Sequence, residues 1–182
     1  AAARSQNYAD ADKYFANITS TLDPTSYKAW YNYGDYLFGR SKKTVARNAF
    51  SNAIKHAEAD LSASDKKKVS EAKKYTSRSY YKLGDIASGS KAIENYKKAV
   101  SFNTNYWQAF LKMGKAYENA KNYSGMLNAY ENVISIMNKK RKGKYIVSTA
   151  RRIKQLARAI MFKGVAEYNL GKYSSAIKTL KK

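Results

Sequence analysis

Apolar and aromatic residues recur along this chain every three or four positions, the spacing of one face of an α-helix. Phe110, Met113, Gly114 and Tyr117 form such a stripe, in the block Ala109-Phe110-Leu111-Lys112-Met113-Gly114-Lys115-Ala116-Tyr117. The same cluster appears as Ala29-Trp30-Tyr31-Asn32-Tyr33-Gly34-Asp35-Tyr36-Leu37, as Tyr80-Tyr81-Lys82-Leu83-Gly84 and as Ile160-Met161-Phe162-Lys163-Gly164-Val165-Ala166. A second stripe follows each: Ala46, Phe50 and Ala53; Ala92, Tyr96 and Ala99; Met126, Tyr130 and Val133; then Ala176 and Leu180. The pattern predicts pairs of helices, with glycine where two backbones cross and an aromatic ring filling the space beside the crossing.

The spacing of the four glycines is uneven. Gly34 to Gly84 is 50 residues, Gly84 to Gly114 is 30, and Gly114 to Gly164 is 50 again, so alternate clusters stand 80 apart. Two 16-residue insertions, 61–76 and 141–156, account for the long intervals, and the second cluster has lost four residues between Gly84 and Ala92. Val69, Ala72 and Tyr75 in one insertion, and Ile153 and Leu156 in the other, continued by Ile160 beyond it, keep a helical period. Ser64 or Asp65 is a plausible N-cap for the first. Both insertions are therefore expected to extend the helix that follows, by at most ~24 Å at ~1.5 Å per residue.

Helix followed by helix, with aromatic, Leu-Gly and Tyr positions in the first and Ala, aromatic and Ala in the second, resembles the 34-residue tetratricopeptide repeat. Tyr130 follows Gly114 at the family spacing of 16. The resemblance implies an all-α fold, an α-α superhelix of about nine antiparallel helices, with the first helices of alternate repeats extended. It implies one domain over 1–182: a partial repeat at 6–26, repeats at about 27–60, 77–106, 107–140 and 157–182, and helical insertions 61–76 and 141–156. The incomplete repeats at either end suggest a segment of a longer protein.

In that family the first helices line a concave face, and four positions in each repeat carry most ligand contacts. Transferred to this sequence, they are Lys28, Tyr31, Asn32 and Asp35; Arg78, Tyr81, Lys82 and Asp85; Gln108, Leu111, Lys112 and Lys115; and Arg158, Met161, Phe162 and Val165. The resemblance thus implies an interaction scaffold with a basic groove for an acidic or extended peptide. The carboxylate clamp of chaperone adaptors is not matched, because its asparagine and lysine slots hold Tyr31 and Asp35, then Lys82.

Composition adds a second surface. There are 35 Lys plus Arg against 13 Asp plus Glu, a formal net charge of +22. Lys139, Lys140, Arg141, Lys142, Lys144, Arg151, Arg152, Lys154, Arg158 and Lys163 lie between Glu131 and Glu167 with no acid among them. This basic patch is either a solvated loop or an attachment surface for a polyanion such as nucleic acid, anionic lipid or a cell-envelope polymer. Assembly into homo-oligomers through the incomplete terminal repeats is a further alternative.

The chemistry available for catalysis is narrow. Without cysteine there is no disulfide, thiolate metal site or cysteine nucleophile. The lone histidine, His56, is expected as a partly exposed helix-end residue, and no spaced carboxylate pair marks an active site. No enzymatic activity, cofactor, metal or small-molecule substrate is expected. No apolar run approaches the ~20 residues of a membrane span. The start Ala1-Ala2-Ala3, with Lys/Asn/Tyr/Ser-rich usage, leans towards an exported bacterial protein.

Overall fold

In a computed structural model, residues 2–181 are described, with side chains for 8–148 and 151–181. The start Ala1-Ala2-Ala3 falls outside the residues whose side chains are described. Nine α-helices run through the described residues: α1 (Ala2–Asn17), α2 (Tyr27–Gly39), α3 (Lys43–Leu61), α4 (Lys66–Ile86), α5 (Gly89–Phe102), α6 (Trp107–Asn119), α7 (Tyr123–Asn138), α8 (Thr149–Asn169) and α9 (Tyr173–Leu180). They fall into two compact units, Ala1–Ile86 and Ala87–Lys182. The fold is all-α, and α4 and α8 are the longest helices at 21 residues each.

In the first unit, α1 runs into a π-helical turn, Ile18–Leu22, before the chain reverses. Phe15 stacks on Tyr33 with centroids 5.5 Å apart and meets Tyr36 at 5.2 Å. Asp12 adds ion pairs to Arg40 at 3.1 Å and Lys42 at 3.3 Å. The Trp30 indole N–H donates to the Pro24 carbonyl at 2.8 Å, and the ring stacks on His56. His56 therefore lies half-buried within α3, which continues to Leu61, and not at a helix end. Leu37, Ala46, Ala49 and Phe50 form the buried core, with Trp30, Tyr31, Leu83 and Ile86 packed against it. Asp65 is the N-cap of α4, accepting from the Lys67 amide at 2.7 Å.

In the second unit α5 packs on α6, α6 on α7, α7 on α8 and α8 on α9. Phe110, Met113, Met126, Tyr130, Val133 and Met137 are buried between them. The hairpins close in one way. Ser41, Lys121 and Gly171 each stand seven residues beyond a crossing glycine and adopt left-handed φ values of 61°, 54° and 72°. The next amide then reaches back into the helix: Lys42 to the Leu37 carbonyl at 3.0 Å, Asn122 to Tyr117 at 2.9 Å and Lys172 to Glu167 at 2.9 Å. This is the six-to-one bond of a Schellman turn, which ends the helix and satisfies its free carbonyls.

One segment departs from expectation. Helix was expected from residue 141, but Lys140–Arg141 (β1) pairs antiparallel with Lys144–Tyr145 (β2), and α8 starts only at Thr149. Lys142 and Gly143, at φ 50° and 75°, supply the two left-handed residues that a tight hairpin turn needs. A helix here would set Lys140 and Lys144 one turn apart, where like charges repel.

The crossing glycines differ in tolerance. A Cβ on Gly114 would lie 2.8 Å from the buried Tyr130 ring, whereas one on Gly164 would meet Leu180, an exposed and flexible side chain, at 2.6 Å. Gly164→Ala is expected to stabilise the chain by up to ~1 kcal/mol through helix propensity. Gly114→Ala is expected to lose ~1–3 kcal/mol through overpacking, partly offset by the same gain. Denaturant midpoints of the two variants moving in the same direction would contradict this account.

Candidate functional site

The first-helix positions in the first unit come together on α2 and α4, but their charges are largely matched. Lys82 pairs with Asp35 at 2.5 Å and lies 4.9 Å above the Phe38 ring. Lys28 pairs with Glu71 at 2.8 Å, a partner supplied by the extension of α4. Tyr31 is half-buried against Phe50 and Tyr75. Burial pushes its hydroxyl up, the Asp35 charge adds to this, and Arg78 opposes it. Tyr81 is pushed up to about 12 by burial, with Asp85 and Tyr31 adding. Tyr31, Asp35, Arg78, Tyr81, Lys82 and Asp85 thus form one cluster, in which Arg78 is exposed, and Asn32 is exposed on α2. It is a surface of mixed charge with aromatic walls.

In the second unit Gln108 is half-buried, while Lys112 and Lys115 are exposed along α6. Lys115 pairs with Glu118 of its own helix at 2.9 Å. On α8 the exposed Arg158 guanidinium lies 5.7 Å from the Phe162 ring, which stacks on Tyr130 at 5.1 Å. The Tyr130 hydroxyl is pushed up to about 12, by burial first and by Glu118, with Arg158 opposing.

The basic patch includes the β1–β2 hairpin. The Tyr145 ring, which sequence reasoning did not single out, carries the Arg152 guanidinium at 3.8 Å and the Lys140 ammonium at 4.7 Å from its centroid. Lys139 donates to the Asn105 side chain at 3.0 Å. Arg141, Lys142, Lys144, Arg151 and Lys154 are exposed. Lys163 belongs elsewhere: it joins buried Glu167 to Glu131 between α8 and α7. Among the described residues, no helix is long and apolar enough to cross a membrane.

The tetratricopeptide-repeat family model matches residues 108–136, which cover α6, its Schellman turn and most of α7. The fold is that of a tetratricopeptide-repeat protein. Among solved structures, the crystal structure of MamA matches with a TM-score of 0.62 and 18% identity, over 98% of this chain and 89% of that one. Pseudomonas aeruginosa PilF matches with a TM-score of 0.62 and 15% identity, over 97% of this chain and 67% of that one. At these identities the likeness is one of fold. No curated protein sequence matches the chain. The shared fold accounts for the crossing glycines and helical hairpins, and leaves the partner to be argued from the surface.

Proposed function

We propose that this chain is a protein-interaction scaffold, not an enzyme, and that each of its two units binds an acidic or extended segment of a partner on the exposed faces of its own first helices. The observation that supports this most directly is the placement of Arg78, Lys112 and Arg158, exposed on α4, α6 and α8 at the positions where tetratricopeptide repeats make ligand contacts. Half-buried aromatic walls at Tyr31 and Tyr81 give an extended peptide apolar surface in the same unit as Arg78. Lys28, Lys82 and Lys115 each hold a carboxylate.

A fluorescent Glu/Asp-rich peptide with a central proline, which keeps it extended, tests the reading. The double variant Arg78→Glu/Lys112→Glu, one change in each unit, is expected to weaken its binding roughly tenfold or more, ~1.4 kcal/mol, with the helical circular dichroism of the native protein retained. Equal affinity for native and variant protein would sink the assignment of this face.

The order of the hairpin favours a second reading, attachment to a polyanion through 139–158. Because Tyr145 fixes Lys140 and Arg152, the patch presents its cations on a folded support. A single-stranded oligonucleotide bound this way would lose affinity linearly with the logarithm of salt, at ~0.7 per phosphate contacted. Arg141→Glu/Lys144→Glu should flatten that slope, and a slope that does not change would exclude the patch.

A further inference from the structure

The β1–β2 hairpin, which joins α7 to α8, has two unlike faces. In its register Lys140 stands opposite Tyr145 and Arg141 opposite Lys144. One step further from the turn, the Ile146 amide donates to the Lys139 carbonyl at 3.1 Å. Because successive side chains of a strand alternate in direction, Tyr145 and Val147 share one face, and Lys144 and Ile146 share the other. Val147 is 8% exposed, and the Tyr145 ring carries the Arg152 guanidinium of α8, so the first face is turned to the helices. The second face is turned away from them. It bears Arg141, Lys144 and Ile146, all exposed, with Lys142 and Gly143 forming the turn at its tip.

Charge selects an anionic partner for this face, since no acid lies between Glu131 and Glu167. Two further observations narrow it. Proteins that hold single-stranded nucleic acid combine such cations with aromatic rings on which the bases stack. Tyr145 is the only aromatic residue from 139 to 158, and its ring already carries Arg152 at 3.8 Å and Lys140 at 4.7 Å. It therefore offers a base little free surface. The second observation is Ile146, which is 38% exposed beside the cations of its own face. Phosphates of a nucleic acid give an apolar side chain no partner, whereas a bilayer interface takes cations among its headgroups and apolar side chains just below them.

We propose that this face of the hairpin attaches the protein to an anionic bilayer, with Arg141, Lys142 and Lys144 among the headgroups and Ile146 entering the acyl boundary. The proposal rests on the polyanion reading of 139–158 and names the polyanion. The face uses none of the first-helix positions. Its apolar element is one side chain, so the attachment is peripheral, reversible and dependent on charge.

The test is co-sedimentation of the full chain with vesicles. Phosphatidylcholine vesicles containing roughly 30% phosphatidylglycerol are expected to bind the protein, and pure phosphatidylcholine to bind it at least about tenfold more weakly. Arg141→Glu/Lys144→Glu is expected to lower affinity for the anionic vesicles by about tenfold or more. Arg78→Glu/Lys112→Glu removes the same charge elsewhere and is expected to change it by less than about threefold. Ile146→Ser replaces an exposed side chain, so helical circular dichroism should match the native protein. It is expected to weaken vesicle binding about threefold or more and to leave binding of a single-stranded oligonucleotide unaltered. The chain contains no cysteine, so Ile146→Cys accepts a single environment-sensitive dye, whose emission should shift to the blue on anionic vesicles. Oligonucleotide binding without vesicle binding would overturn the bilayer assignment and leave the polyanion reading standing, while binding to neither would remove both. Equal binding to neutral and anionic vesicles, equal losses from the two charge-reversing variants, or indifference to Ile146→Ser would also overturn the proposal.

Discussion

Phe50→Ala is expected to destabilise the protein by ~3–5 kcal/mol, a large part of the ~5–15 kcal/mol that folded domains possess. Phe50 is fully buried, and its ring lies where a Gly34 Cβ would stand, 2.7 Å from Cε1 and 2.8 Å from Cδ1. Loss of the ring removes apolar burial and leaves a cavity among Leu37, Ala46 and Ala49, whose surroundings relax only in part. The same contact makes the effect of Gly34→Ala depend on residue 50. With phenylalanine in place, the added methyl forces the ring or the helices apart and costs ~1–3 kcal/mol. With alanine in place the methyl enters vacant space, and the better helix propensity of alanine contributes up to ~1 kcal/mol in its favour. A double-mutant cycle in urea should therefore show coupling of at least ~1 kcal/mol. Strictly additive changes would mean that glycine is not there to admit the ring.

The second large effect is expected at Lys163. Its ammonium joins Glu167, which is 4% exposed, and reaches Glu131 at 3.4 Å. Burial alone would push the Glu167 carboxyl up, but hydrogen bonds from Lys163 and Thr179 and the charges of Lys163 and Lys172 hold it below its ordinary value. A carboxyl lowered by folding contributes stability that is present above its unfolded pKa of ~4.3 and is lost as pH falls through the folded value. Lys163→Met removes the main compensating charge and strands Glu167, at a cost of roughly 3 kcal/mol near neutral pH, the lower end for a broken buried pair. Burial then dominates and raises the carboxyl above its unfolded value, so the variant regains relative stability as pH falls and the group is neutralised. Unfolding free energies of the two proteins should consequently converge below about pH 4. A deficit independent of pH would assign the loss to packing of the lysine stem alone.

The helical hairpins were legible because their packing constraint lies within one hairpin. Gly34 and Phe50, Gly114 and Tyr130, and Gly164 and Leu180 meet as their shared spacing of 16 residues requires. The long α8 was legible from its stripe, but the hairpin before it was not. Nothing apolar sets a period across Lys139 to Lys144, and the turn depends on Lys142 adopting a left-handed conformation that lysine does not advertise. Charge on the first-helix face was legible only in sum. Lys28 meets Glu71 across 43 positions and Lys82 meets Asp35 across 47, so the cations that remain available depend on the register of neighbouring helices. The family model reaches 108–136, within one of the two repeats, 27–60 and 107–140, that carry neither an insertion nor the four-residue loss.

Trp30, fixed by the Pro24 carbonyl and stacked on His56, has one further use. The chain contains two tryptophans, and the other, Trp107, opens α6 in the second unit. Each unit therefore carries its own intrinsic fluorophore. Trp107→Phe leaves emission that reports on Ala1–Ile86, and Trp30→Phe leaves emission that reports on Ala87–Lys182. Unfolding curves from the two single-tryptophan proteins, each set against helical circular dichroism, would coincide if the repeats melt as one cooperative body and separate if each unit melts by itself.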